Sequence, residues 1–159
     1  MPQTKVIEAD LSREDHQADI AELVNAFSID RMGEPLPARV EGDLIPGLRS
    51  HPTTHIFLAH QGKEAIGIAV CFRGFSTFAA RPLINIHDLL VLPDYRGQGV
   101  GKQLLQAVEQ RAREIGCCKL TLEVQENNHR ARRVYGAAGF AQTEYAGAGG
   151  RLLFLSKSL

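Results

Sequence analysis

Arg96-Gly97-Gln98-Gly99-Val100-Gly101 is a stretch suited to holding an anion. Before it runs Ile84-Asn85-Ile86-His87-Asp88-Leu89-Leu90-Val91-Leu92, apolar enough for a central strand and closed by Pro93. After it, Val100, Leu104, Leu105, Val108, Ala112 and Ile115 recur at helical spacing, and Gly116 stands where a glycine would stop the helix. A glycine-rich turn that opens a helix leaves several backbone N–H groups unpaired and pointing one way, with the helix dipole behind them. Such donors suit a pyrophosphate, and glycine admits the phosphate where a Cβ would hold it off. A P-loop does not fit: counting back from Gly101-Lys102 puts Arg96 at the first glycine and Gln103 at the magnesium-binding hydroxyl. A dinucleotide fingerprint needs G-x-G-x-x-G and this loop reads G-x-G-x-G, although Glu123 stands at the distance of a ribose-binding acid.

A second block, residues 124–140, contains Asn128, Ala131 and Tyr135 in the pattern N-x-x-A-x-x-x-Y, followed by Gly139-Phe140. Together, Arg96-x-x-Gly99-x-Gly101 after a strand and this later block resemble the two motifs of the GNAT superfamily of N-acetyltransferases, in the family's order. The resemblance covers 84–140. It implies acetyl-CoA as co-substrate and direct transfer of the acetyl group to a primary amine of a small molecule or peptide. Under it, Arg96, Gly97, Gln98, Gly99, Val100, Gly101 and Lys102 hold the pyrophosphate, and Leu89, Leu90 and Val91 pair with the pantetheine arm. Asn128 and the turn to Ala131 hold that arm further along, and Asn128 can cap its helix at the same time. Tyr135 faces the acetyl sulfur. A phenol, with a reference pKa of ~10, can protonate a thiolate leaving group, whose thiol has a reference pKa of ~8.5.

Attack on a thioester requires a deprotonated amine, so a base is useful, and His87 and Asp88 are the candidates. Adjacent strand residues point to opposite faces, so only one reaches the substrate unless a bulge intervenes. His87 needs little shift to act near neutrality, and it is expected in the crevice. In polyamine acetyltransferases an acid often precedes the Asp; the histidine here argues against a polyamine. Met32, Phe75, Phe78 and His87 are the expected acceptor contacts, although Phe75 and Phe78 would serve equally to anchor their loop or a homodimer. A catalytically silent acyl-CoA-binding module is the alternative to the enzyme, but it has no need of an acid at the sulfur.

These groups need a scaffold, and 159 residues suffice for one domain, 1–159, with a substantial core. Hydrophobic residues are 44% and charged residues 23%, as in soluble globular proteins. No apolar run approaches ~20 residues, so no membrane span is expected. With no signal-peptide pattern at Met1–Lys5, a cytoplasmic protein is expected. Cys71, Cys117 and Cys118 fit neither a disulfide framework nor a zinc pattern; they are expected to be buried thiols, and no metal is expected. Net charge is zero but uneven: residues 1–95 hold 8 basic against 13 acidic groups, residues 96–159 hold 10 against 5. A positive half suits an anionic co-substrate and an acidic half a cationic amine. The absence of a basic stripe argues against nucleic acid.

The pattern predicts a strand at Thr4–Ala9 and a helix from a Ser12/Asp15 capping box to about Ile29. A break at Gly33–Pro37 precedes a second helix at 38–49. A hairpin of 55–60 and 65–72 follows, with Gly67 marking a bulge or close approach, then a loop from Gly74 to Pro82. The strand at 84–92, the helix opening at Gly99, a strand at 119–124 and the Asn128 helix come next. A last hairpin is expected from Phe140–Tyr145 and Arg151–Leu155. The expected fold is α/β (α+β): a GNAT-like, mostly antiparallel sheet with a central parallel pair, 84–92 beside 119–124, splayed at its C-terminal ends between flanking helices.

Overall fold

Residues Ile66 to Cys71 are apolar at every position and buried without interruption. A strand buried on both faces demands cover on both, and helices supply it. In the computed structural model, residues 2–142 and 153–159 are described. The elements run β1 (Thr4–Glu8), α1 (Glu14–Met32), α2 (Ala38–Ser50), β2 (Thr54–Gln61), β3 (Glu64–Ser76), β4 (Arg81–Val91), α3 (Val100–Glu114), β5 (Leu120–Leu122) and α4 (His129–Ala137). Strand order follows chain order, β1 to β5, with antiparallel pairs throughout except the parallel β4–β5 pair. The chain divides into two compact units, Met1–Leu122 and Glu123–Leu159. Among the described residues no helix is long and apolar enough to cross a membrane.

One face of the sheet packs on α1 and α2 through Ile20, Leu23 and Leu48, which meet Ile56, Leu58, Ile68, Val70 and Leu90. The other face carries α3, whose buried stripe is Val100, Leu104, Leu105, Val108 and Ala112. Gly67 decides how close α3 comes. A Cβ there would stand 3.0 Å from the Leu90 carbonyl oxygen, 3.2 Å from Leu104 Cδ1 and 3.4 Å from Val100 Cγ1. The helix stops as its sequence predicts: Gly116, at φ 77°, donates to Arg113 O, and Cys117 N–H reaches back to Ala112 O at 2.9 Å.

Four expectations need correction. The Ser12/Asp15 capping box does not form: Ser12 turns back on Asp10 (Oγ to Oδ1, 2.7 Å), while Arg13 takes the Asp15 carboxylate at 2.6 Å. Helix α1 continues three residues past Ile29, to Met32, because the first residue able to end it is Gly33, at φ 80° with its N–H on Ile29 O. The segment 74–82 is largely strand, with Phe75 paired to Pro82. Ile84 N–H donates to Lys119 O on the β5 side (3.3 Å), so Pro82, two residues earlier, turns its missing donor to that side, before β5 begins. Cys71 is buried, but Cys117 is half-buried and Cys118 exposed at the end of the α3–β5 connection. The expected final hairpin falls largely on residues 143–152, outside the described residues.

Replacing Gly67 by Ala forces α3 off the sheet or bends β4, an overpacking cost of about 1–3 kcal/mol. Denaturant unfolding of Gly67→Ala is expected to show that loss. Gly74→Ala serves as the control, because its Cβ would meet only Leu83, at 3.4 Å.

Candidate active site

Strand β5 is short. It pairs with β4 only over Ile84↔Leu120, Asn85↔Thr121 and Ile86↔Leu122, whereas β4 continues to Val91. Beyond Ile86 the β5-side edge of β4 has no strand partner among the described residues. Leu92 N–H donates to Ile66 O at 2.9 Å, so the alternation of the ladder turns the backbone groups of Leu89 and Val91 toward this open edge. Val91 O accepts from Arg96 Nε at 2.9 Å; Leu89 and the Val91 N–H remain for an extended chain bearing amides. The Leu90 side chain belongs to the core.

The edge leads through a single 3₁₀ turn, Pro93–Tyr95, into the glycine turn. Gly97 (φ 76°) and Gly99 (φ 80°) both take left-handed backbone, and Gly99 is the residue from which α3 starts. Residues with a Cβ rarely adopt this conformation. The first one-turn bond of the helix is Gln103 N–H to Gly99 O at 3.1 Å, which leaves the N–H groups of Val100, Gly101 and Lys102 without a carbonyl one turn back. The Val100 side chain is buried, so only its backbone faces the turn; Gly97, Gln98, Gly99 and Lys102 are exposed. Arg96 is already engaged, its Nη2 lying 3.0 Å from Asp30 Oδ2 on α1. Its guanidinium therefore fastens the turn to α1 and β4, and the donors left over for an anion are the backbone N–H groups and the exposed Lys102.

His87 and Asp88 lie where the register of β3 with β4 shifts: Val70 pairs with Asp88 and Cys71 with Ile86, leaving His87 as the extra residue. The bulge brings neighbours that would otherwise oppose each other to one face. Asp88 follows Val70 onto the α1–α2 face, and the His87 ring meets Phe72 edge-on at 5.7 Å on that same face. Burial raises the Asp88 carboxyl above the ordinary carboxylate range, against the opposing pull of His87 and Arg31. His87 is exposed.

Of the expected acceptor contacts, Met32 ends α1 and is exposed, next to the Arg31 that acts on Asp88. Phe75 and Phe78 are exposed at the tip of the β3–β4 hairpin, and Phe78 is 96% accessible. Phe75 pairs with Pro82, six residues before Asp88, which is ~20 Å along the strand. The structure does not bring these two phenylalanines to His87. In the second unit, Asn128 caps α4 by accepting from Ala131 N–H at 3.1 Å. Tyr135 is half-buried, with its ring 6.0 Å from that of Phe140. Arg132 donates to Glu126 O at 2.9 Å, while Arg130 and Arg133 are exposed.

A profile of the acetyltransferase (GNAT) family matches residues 19–140. The chain belongs to this family. An uncharacterized N-acetyltransferase of Archaeoglobus fulgidus is 33% identical over 103 residues, 64% of this chain and 70% of that one. A thialysine N-epsilon-acetyltransferase of Bos taurus is 37% identical over 79 residues, 50% of this chain and 46% of that protein. The fold matches that of an aminoglycoside N-acetyltransferase solved in complex with CoA, with TM-score 0.76 and 21% identity over 99% of this chain and 96% of that one.

Within this GNAT chain, two site features escape a reading of the sequence. Phe72 reads as the end of an apolar core strand, and Arg31 as one surface charge among many. Strand parity could have grouped Phe72 with Val70 and Ile68. Nothing in the sequence marks the bulge that sets His87 beside it.

The raised carboxyl of Asp88 makes the fold favour its protonated form. Stability is lost as pH rises from the ordinary carboxylate value through the raised one, because the unfolded chain gives up this proton first. Asp88→Asn removes that loss. The variant is expected to unfold at a higher denaturant midpoint at neutral pH, with the advantage vanishing in acid; an advantage independent of pH would contradict this account.

Proposed function

We propose that this protein transfers the acetyl group of acetyl-CoA directly to the primary amine of a small molecule. The observation that carries the reading is the continuous path in the first unit. The β4 edge at Leu89 and Val91, without a strand partner among the described residues, leads into left-handed Gly97 and Gly99 and the N–H groups at the start of α3. Pantetheine is an extended chain with amides at strand-like spacing, and the pyrophosphate that follows it matches backbone donors at a helix N-terminus. Arg96 then acts as the clamp that shapes the turn. Asn128 and Ala131 hold the pantetheine arm on the strength of the family motif, as does Tyr135 its place at the sulfur. The family match spans both units, which supports reading 1–159 as one acetyltransferase domain.

In this reading the amine nitrogen attacks the thioester carbonyl, the C–S bond breaks, and the amine proton passes to a base while the departing thiolate takes one from Tyr135. Asp88 is the better base of the candidate pair: burial has already lifted its proton affinity, and the bulge holds it on the α1–α2 face. His87 stands beside it at the exposed edge. The named activities of the relatives, on thialysine and on aminoglycosides, support a small-molecule amine as acceptor.

Release of free thiol from acetyl-CoA across a panel of primary amines tests the reaction. Gly99→Val is expected to raise the acetyl-CoA dissociation constant strongly by calorimetry while the protein stays folded. Tyr135→Phe should lower kcat by about 10²–10⁴-fold with little change in that constant. Near-normal turnover would return Tyr135 to a packing role.

The base is tested separately by pH. With Asp88 as base, kcat/KM rises with pH through an ionisation above the ordinary carboxylate range, and Asp88→Asn abolishes that limb while His87→Ala keeps it. The opposite pattern would give the role to His87.

A further inference from the structure

The Phe72 ring that touches His87 also forms one wall of an open cleft of about 680 Å³ between α2 and β3, within the size range of small-molecule sites. We infer that this cleft binds the body of the acceptor, and that the acceptor is a monoamine carrying an aromatic ring on a short alkyl arm. This deepens the reading above and rests on it. The cleft runs from Val40 and Leu44 along α2 to Leu48 and Phe72, and those walls are apolar. His51 lines the cleft too, its ring packed edge-on against Phe72 at 6.2 Å and 72°, so an incoming ring meets the outer surface of an aromatic pair. Gly47 leaves room on the helix side, since a Cβ built there meets nothing within 4 Å.

Charge argues against a polycation. The carboxylate lining the cleft is Asp43, and it is already paired with Arg39, one turn away, at 3.2 Å. A polyamine or an aminoglycoside would bring several ammonium groups to a wall offering one neutralised acid and a guanidinium. A ring with a single amine needs neither. With its ring packed against the Phe72–His51 pair, an arm of two or three bonds extends along the Phe72 edge toward His87 and the neighbouring Asp88, where one amine proton has to be removed.

The test uses the full chain with 2-phenylethylamine, methylamine, spermidine and a short peptide, reading thiol release and, independently, amine binding by calorimetry without acetyl-CoA. Expected is a kcat/KM for 2-phenylethylamine about tenfold or more above that for spermidine or the peptide. Gly47→Leu fills the cleft where space is open. It should cut the selectivity for 2-phenylethylamine over methylamine about tenfold while acetyl-CoA affinity holds, and Gly47→Ala should fall between. Preference for spermidine or the peptide, or an unchanged selectivity in a Gly47→Leu protein with normal thermal unfolding, overturns the cleft assignment and leaves the transferase reading standing. Binding of 2-phenylethylamine that Gly47→Leu removes, with no thiol released from any amine, overturns the transferase reading and leaves the cleft assignment standing.

Discussion

Helix α3 lies close against this sheet at a residue, 67, that has no side chain. The Leu90 carbonyl and the Leu104 and Val100 side chains would crowd a Cβ there, at 3.0–3.4 Å. That close approach sets the height at which α3 begins, and with it the place where the glycine turn must deliver its free N–H groups. The strand that supplies Leu90 is the same one whose other edge has, among the described residues, no strand partner at Leu89 and Val91. A single packing contact in the middle of the sheet therefore aligns an open strand edge with the positive end of a helix. Both are properties of backbone, so the side chains around them are free to serve the core: Leu90 and Val100 are buried although each belongs to the turn or its approach.

The two candidate proton acceptors sit on the opposite face, and their grouping depends on a defect. A regular strand would put His87 and Asp88 on opposite sides of the sheet. The register shift at Val70 and Cys71 gathers them with Phe72 instead. Burial then penalises the Asp88 carboxylate, which makes it a stronger proton acceptor at the expense of stability. Two glycines in left-handed backbone, a bulge and a desolvated acid are all local departures from regular structure. They lie within a short run of chain, and the surrounding sheet and helices hold them in place.

Much of this was legible in the residues. The glycines between Arg96 and Gly101 announced a tight turn, in which Gly97 and Gly99 take left-handed backbone, and the period of Val100, Leu104, Leu105 and Val108 announced the helix behind it. The parallel pairing of β4 with β5 followed from a strand, a helix and a strand in sequence. Gly67 was marked as a bulge or a close approach; the structure has the close approach at Gly67 and a register shift beside it, between Ala59 and His60. The hairpin tip was less legible, because Gly74 and Pro82 carry loop signals whose meaning depends on which side of the strand is vacant. Proline is silent where no donor is needed, and that is a fact about β5. The Ser12/Asp15 box failed for a similar reason, since Arg13 competes for Asp15 in space as well as in sequence. Phe72 stayed hidden because its importance lies in what stands opposite it, and a one-residue slip between strands leaves no trace in the period of either.

The β3–β4 ladder also has a fixed inner part and a free end. Ile68 with Leu90, Val70 with Asp88 and, past the bulge, Cys71 with Ile86 are pinned by buried side chains, and Ile84 to Ile86 by β5 as well; beyond Ile84 the ladder runs out to the tip at Ser76 and Arg81. Because strands repeat every two residues, the tip can grow or shrink by matched pairs without moving anything inward of the bulge. The hairpin thus behaves as a fixed hinge leaf with an interchangeable end. Its outer length can change by matched residue pairs, while the geometry beside Phe72 stays set by the core.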